Sequence, residues 1–321
     1  MAWKKRRAPA DGASYIDALV RKSSPDTDAA NAVINDLAEL AGGLNKCPGL
    51  LAAQALVLDV RGRSDFAIQQ LTKAFDISLD DDQKILSWNR NVVRFFEDKD
   101  TSIEVAYLDS VRRRTDVEQI ENWIDLFIAM RLTSGGKEAG RAIDLLKGLV
   151  SIDDNLTRRF LAYQTYGSYL YGQDNFEGAL QVWTDGLAHF PDNWELNNNI
   201  AFTLSVELGR PEDALKYAQP ATQSGAINSE PYETLARVYI QLGRFDEAVE
   251  MINKGKRYAT SIASRVTMML ADARLNIARK DLEIANFDVL NARSLFRSLP
   301  GGNDDIEESI KKVEEEIASA G

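Results

Sequence analysis

The chain contains one cysteine, Cys47, and one histidine, His189, among its 321 residues. A single cysteine excludes an intramolecular disulfide, and the two residues together are too few for a zinc site of the Cys/His type. Nucleophilic systems of the Ser-His-Asp or Cys-His type need a histidine beside the nucleophile. His189 lies just before Phe190 and Pro191, and we interpret it as a helix-end residue that interacts with terminal carbonyls. Phosphate-loop and GxSxG motifs are also absent, so the sequence predicts no catalytic residue, no cofactor and no metal.

Long apolar runs are absent as well. No segment reaches the ~18 consecutive apolar residues that a membrane span requires. The basic tract at residues 4–7 is not followed by the apolar stretch of a secretory signal. We therefore expect a cytoplasmic protein without a membrane partner, and the low cysteine content fits a reducing compartment.

Positive charge is in deficit, since 38 basic against 49 acidic residues give a net charge of −11. This balance argues against a nucleic-acid partner, because nonspecific nucleic-acid binding depends on neutralising phosphates. Basic islands occur at residues 4–7 and 112–114, and acidic ones at 80–82 and 304–316. We interpret these islands as solvated helix ends and loops. The alternative for the arginine triplet at 112–114 is a site for an acidic peptide or a phosphate.

One pattern occurs three times in the second half of the chain, at residues 174–180, 209–215 and 243–249. Its alanines, Ala179, Ala214 and Ala248, are 35 and 34 residues apart, which is the period of helix-turn-helix arrays. No alternating apolar and polar run of strand length occurs. A hairpin of this kind buries its apolar face only by stacking on neighbours. The pattern therefore predicts an all-α solenoid of about seven to eight stacked hairpins.

The repeated pattern resembles the tetratricopeptide repeat (TPR) family. Large, small, aromatic and turn residues fall at that family's positions, in the first unit at Tyr163, Gly167, Leu170, Phe176, Ala179, Gly186 and Pro191, and in the third at Tyr232, Leu235, Ala236, Tyr239, Gly243, Phe245, Ala248 and Gly255. The resemblance implies a right-handed solenoid.

The matched residue types have mechanical roles in such a hairpin. Small residues such as Gly167 let its two helices approach each other. Gly209 and Gly243 supply the permissive backbone that ends the first helix. The middle unit has one residue more before its turn glycine than the third unit has. This extra residue predicts a local bulge in the first helix of the middle unit.

The resemblance weakens outside these units, and we divide the chain accordingly. Residues 1–25 are expected to form a basic and polar tail with a first helix, residues 26–155 divergent hairpins, residues 156–260 the clear repeat units, and residues 261–321 a last helical pair with an acidic capping helix. In the last helix four apolar residues recur at intervals of three or four, at Ile306, Ile310, Val313 and Ile317. Such a stripe is typical of a cap, and a cap favours a natural end of the chain.

In this family the first helix of each unit lines a concave groove. The resemblance places eight polar and aromatic residues there: Gln164, Ser168, Tyr171, Asn198, Phe202, Glu233, Arg237 and Gln241. Asparagines on such faces commonly hold a peptide backbone, because one amide is both a donor and an acceptor. The charge of Arg237 would suit an acidic segment.

These features predict a non-catalytic scaffold or adaptor that binds a segment of another protein in the groove. The alternative is a regulatory TPR region of a larger enzyme, such as a protease, kinase or transferase, of which this chain is a part. Self-association is also open, because stacked ends with exposed apolar faces pair easily.

Overall fold

The computed structural model describes residues 16, 18–21, 24–79, 81–135, 138–224, 227–299 and 303–321. Within these ranges the regular structure is entirely helical and no strand occurs, which confirms the predicted all-α fold. Two predictions fall outside the described ranges, the basic tract at residues 4–7 and Asp80 of the acidic island at 80–82. Residues 18–20 are helical.

Successive helices are joined by short connections. In the described part of the chain the α-helices are α1 (Thr27–Leu40), α2 (Pro48–Val60), α3 (Ser64–Asp76), α4 (Asp82–Phe96), α5 (Thr101–Arg112), α6 (Glu118–Gly135), α7 (Ala139–Ser151), α8 (Leu156–Gly172), α9 (Phe176–His189), α10 (Trp194–Phe202), α11 (Pro211–Gln223), α12 (Glu230–Gln241), α13 (Phe245–Tyr258), α14 (Ile262–Ala278), α15 (Leu282–Phe296) and α16 (Asp304–Ala320). Helices α2 to α15 form seven consecutive hairpins, each with a first and a second helix.

The chain divides into two compact units, Met1–Ala162 and Tyr163–Gly321. The core of the first unit is built around Trp88, whose ring lies 5.0 Å from that of Phe75. Its indole Nε1 donates a hydrogen bond of 3.1 Å to the carbonyl of Leu71. The finer division at residues 26, 156 and 261 stays a prediction from the sequence.

The second unit depends on small residues where paired helices meet. Ala179, Ala214 and Ala248 on the second helices and Ala201 on α10 are fully buried. Gly167 has the tightest contact, since a Cβ at this position would lie 2.1 Å from Nε1 of Trp183. The predicted close approach of the two helices is therefore present in the structure.

Six of the seven hairpin turns contain one residue in the left-handed conformation, with φ between 55° and 71°. These residues are Gly62, Glu138, Asp174, Gly209, Gly243 and Lys280. Gly209 and Gly243 confirm the role predicted for them. Five of these residues lie two residues before the second helix of their hairpin, whereas Glu138 directly precedes α7. The same turn position is therefore used in both units. Only glycine adopts this conformation without a steric cost.

Lys280→Gly is expected to stabilise the protein by about 1 kcal/mol, because the exposed Lys280 has a φ of 68°. Chemical denaturation monitored by circular dichroism measures this change. Gly243→Ala, at a φ of 71°, is the matched control and should lose about 1 kcal/mol. A destabilised Lys280→Gly variant would show that the lysine side chain stabilises this turn.

The extra residue of the middle repeat is accommodated by a π-helix, Thr203–Glu207, that continues α10. The amide of Leu208 donates to the carbonyl of Thr203 at 3.1 Å, five residues back. The widened turn leaves the Ser205 carbonyl available, and Nε2 of Gln241 donates to it at 2.9 Å. The predicted bulge is thus confirmed, and π-bulges of this kind are frequent at functional sites.

The last helix, α16, covers the end of the second unit. Its four predicted stripe residues, Ile306, Ile310, Val313 and Ile317, are all buried and pack in one cluster with residues of α14 and α15. The side chain of Asn303 accepts a hydrogen bond from the amide of Ile306 and caps the helix. This packing agrees with the predicted capping role, which stays a prediction from the sequence.

Candidate functional site

The first helices of the second unit pack side by side and form what we call the inner face: residues 163–172 of α8, then α10, α12 and α14. A cavity of about 310 Å³ opens on this face. It is lined by Ser168, Tyr171, Trp183, Asn198, Asn199, Phe202, Thr203, Glu230, Glu233, Thr234 and Thr267. We call it the inner cavity.

Five of the eight residues predicted for the groove line the inner cavity, namely Ser168, Tyr171, Asn198, Phe202 and Glu233. The other three, Gln164, Arg237 and Gln241, hydrogen-bond to neighbouring residues of the same unit. Gln241 binds the π-helix carbonyl described above. The structure therefore brings most of the predicted set together and gives the rest contacts within the protein.

Aromatic rings form the apolar wall of the inner cavity. The ring of Tyr171 lies 6.3 Å from Trp183 and 6.5 Å from Phe202. Trp183 reaches the inner face from a second helix, because Gly167 leaves room for the indole. The absence of a side chain at Gly167 is thus what allows an aromatic wall at this place.

Three consecutive asparagines on α10 have three different roles. Asn197 donates to backbone carbonyls of Pro191 and Asn193 and fixes the start of the helix. Asn199 donates to Oε1 of Gln164 at 3.1 Å and joins α10 to α8. Asn198 lies between them and lines the inner cavity.

The amide of Asn198 is buried, and its Oδ1 has no hydrogen-bond partner within the described residues. The Nε1 of Trp183 on the same cavity is also without a partner there. A buried polar atom left without a hydrogen bond costs about 1–3 kcal/mol. The indole Nε1 faces Gly167 in the contact between α8 and α9, so we consider only the Oδ1 of Asn198 as an acceptor for a ligand.

Arg237 is held in an ion pair with Glu233, with a shortest distance of 2.7 Å. Both side chains are largely buried. Burial lowers the pKa of Arg237, but Glu233 together with Glu316 and Glu207 outweighs it and raises the pKa. A second arginine, Arg274, lies 4.0 Å from Glu233 and 3.3 Å from Glu316. This ion pair counts against the expectation that Arg237 offers its charge to an acidic segment, because a carboxylate of the protein already neutralises it. The role of Arg237 in binding stays a prediction.

Two further carboxylates on the inner face have no basic partner in the described part of the chain. They are the exposed Glu230, which lines the inner cavity, and Glu195, which accepts a hydrogen bond of 3.2 Å from Nε2 of Gln164. Burial and then repulsion by Glu230 raise the pKa of Glu195. A third, Glu207, accepts a 2.5 Å hydrogen bond from the hydroxyl of Tyr171. Burial and this carboxylate raise the pKa of Tyr171, so its hydroxyl stays protonated as the donor.

Six of the lining residues were not in the predicted set: Trp183, Asn199, Thr203, Glu230, Thr234 and Thr267. Trp183 was missed because only first helices were assigned to the groove. A signal existed for Thr267, which follows Glu233 by 34 residues, one repeat period. Glu230 and Thr234 lie within one turn of Glu233 on the same helix, where helical periodicity places neighbours.

The arginine triplet is only partly solvated. Nε of Arg112 donates to Oδ1 of Asp125 at 2.5 Å and ties α5 to α6, while Arg114 lies 3.4 Å from Asp76. Arg113 is exposed. Arg112 is the last residue of α5 and is partly exposed, as the interpretation as a solvated helix end expects, and its charge also joins two helices of the first unit.

Cys47 and His189 have structural surroundings. Cys47 is a half-exposed free cysteine that precedes the first residue of α2. The ring of His189 stacks on that of Tyr163 at 5.9 Å, at the end of α9, where the sequence predicted a helix end. Among the described residues no group of three or more potential ligands could hold a metal ion, and no helix there is long and apolar enough to cross a membrane.

Comparison with known proteins supports the repeat assignment. A family model described as tetratricopeptide repeat matches residues 205–273. A search of curated protein sequences gave no match.

Solved structures with the same fold include Pseudomonas aeruginosa pilF, with a TM-score of 0.51 at 14% identity over 73% of this chain and 98% of that one. A chain of the APC/C hetero-tetramer Cut9-Hcn1 has a TM-score of 0.51 at 14% identity, over 93% and 62% of the two chains. A monomeric IFIT1 mutant solved with m7Gppp-AAAA has a TM-score of 0.56 at 13% identity, over 90% and 68%. At these identities the likeness establishes the fold alone.

Proposed function

We propose that this chain, which belongs to the tetratricopeptide repeat family, is a non-catalytic adaptor that binds an extended segment of another protein on its inner face. The observation that supports this most is the amide of Asn198, buried in the inner cavity with its Oδ1 unbonded. A peptide group of a bound segment can donate to that oxygen. The aromatic wall of Tyr171, Trp183 and Phe202 offers apolar surface for a side chain of the same segment.

A protein segment suits the inner cavity better than a nucleic acid does. The charged residues among its described lining are the carboxylates Glu230 and Glu233, and a phosphate backbone needs cations instead. The arginines nearby, Arg237 and Arg274, already have acidic partners. The proposal therefore covers a protein partner, and nucleic acid is an outcome for the test to examine.

Asn198→Ala is expected to weaken partner binding about five- to a hundredfold, because loss of a hydrogen bond to a buried amide costs about 1–3 kcal/mol. The measurement is quantitative mass spectrometry of proteins that co-purify with tagged wild-type and variant protein from extract of the source organism. Asn253→Ala, on the exposed side of α13, is the matched control and should retain the partner.

Nuclease treatment of the extract before purification separates direct from nucleic-acid-mediated binding. We expect the same Asn198-dependent partner with and without nuclease. Equal recovery by the two asparagine variants, or loss of the partner after nuclease, would contradict the proposal.

A further inference from the structure

We infer that the segment bound in the inner cavity presents a lysine or arginine side chain, an inference that rests on the proposed function. The first observation is the excess of negative charge around the cavity. Glu233 is paired with Arg237, and Arg274 with Glu316. Glu195 and Glu230 pair with no basic side chain in the described part of the chain. The inner face therefore carries two negative charges that a cation of a bound segment could neutralise.

The second observation is the matched placement of these two carboxylates in successive repeats. Glu195 lies in the first turn of α10 and accepts a hydrogen bond of 3.2 Å from Nε2 of Gln164 on α8. Glu230, one repeat period later, is the first residue of α12 and lines the inner cavity. Like charges on one face favour binding of an opposite charge, because a cation gains attraction to both.

The aromatic wall is the third observation. The guanidinium of Arg237 already lies over the ring of Phe202, 5.5 Å from its centroid. Tyr171 and Trp183 offer further ring faces on the same cavity. The aliphatic stem of a lysine or arginine packs on such rings, while its charged end reaches a carboxylate at the rim.

Two other kinds of occupant fit less well. An acidic segment would bring negative charge toward Glu195 and Glu230 without reaching a free cation. A purely apolar segment would use the rings but would leave both carboxylates unpaired. Charge complementarity therefore selects a basic segment among the peptides that the inner face can hold.

A phage-displayed library of random linear peptides, about 12 residues long, tests this inference directly. Peptides selected on the full chain are synthesised and their affinities measured by fluorescence anisotropy, with the wild type and with Asn198→Ala. We expect enrichment of lysine and arginine in the peptides whose binding depends on Asn198. Their affinity should fall as sodium chloride rises from about 50 mM to about 500 mM, because salt screens exposed charges.

The double variant Glu195→Gln, Glu230→Gln should weaken these peptides about three- to tenfold. Glu212→Gln with Glu283→Gln is the matched control, since it removes the same charge from exposed positions on α11 and α15. That control should leave the affinity unchanged. Equal weakening by both double variants would mean attraction to overall charge, and it would overturn the inference.

The remaining outcomes separate the inference from the proposed function. Peptides that depend on Asn198 but carry no excess of basic residues would overturn the inference and leave the proposed function standing. Selection that yields no Asn198-dependent peptide would count against both.

Discussion

Gly167→Ala is expected to destabilise the second unit by about 3 kcal/mol, at the upper end of overpacking costs in well-packed cores. The added methyl group would lie 2.1 Å from Nε1 of Trp183, within a contact between α8 and α9 that has no spare volume. Relief requires the indole to move or the two helices to separate. Either change also alters the inner cavity, because Trp183 forms part of its wall.

Urea denaturation of Gly167→Ala measures this loss, with Gly172→Ala as the control in the same helix. A Cβ at Gly172 meets no atom within 4 Å, so its replacement should leave stability equal or raise it slightly. If the two variants were equally stable, the close packing of α8 against α9 described above would be incorrect.

Arg237→Leu is expected to cost about 3 kcal/mol, because it leaves the carboxylate of Glu233 buried without its nearest cation. Arg274, 4.0 Å from Glu233, compensates only in part. The contact of Arg237 with the ring of Phe202 is lost as well. The effect should be one of stability, measurable by denaturation without any partner.

A double variant tests whether the buried carboxylate causes the loss. Adding Glu233→Gln to Arg237→Leu should restore at least about 1 kcal/mol, since it removes the unpaired charge. Lys254→Leu is the control, because its pair with Glu250 is exposed and should contribute less than about 1 kcal/mol. If the Arg237→Leu variant were as stable as the wild type but bound the partner more weakly, Arg237 would contribute to binding and not to stability.

The parts of the fold that could be predicted from the sequence are those that repeat. Ala179, Ala214 and Ala248 set the period, and the extra residue before Gly209 predicted the bulge that the structure shows as a π-helix. The buried face of α16 was predictable from its apolar stripe. Each of these features of the fold follows from one local sequence pattern, so it could be predicted from a single sequence.

The turns were predictable where the left-handed residue is glycine or belongs to the repeated pattern. Asp174 occupies the position of Gly209 and Gly243 in that pattern, and aspartate takes the left-handed conformation more readily than most residues. Lys280 takes the same conformation, but lysine does not signal it.

The candidate site was predictable as a face but not as a cavity. Asn198, Tyr171 and Phe202 followed from their positions on first helices. Trp183 reaches the inner cavity only because Gly167 leaves room for its indole ring. The charge of Arg237 is neutralised only because the side chain of Glu233, one helical turn away, points toward it. Such contacts between side chains are set by packing, which periodicity does not report.

Site-specific photo-crosslinking tests the central claim most directly. The photoreactive residue p-benzoylphenylalanine is placed at Phe202, on the inner cavity, or at Phe287, which is 63% exposed on α15. After irradiation in native extract, mass spectrometry identifies the attached protein and the attached segment. We predict one defined partner segment, basic in sequence, linked from position 202 and absent from position 287. A partner linked from position 287 and never from position 202 would contradict binding on the inner face.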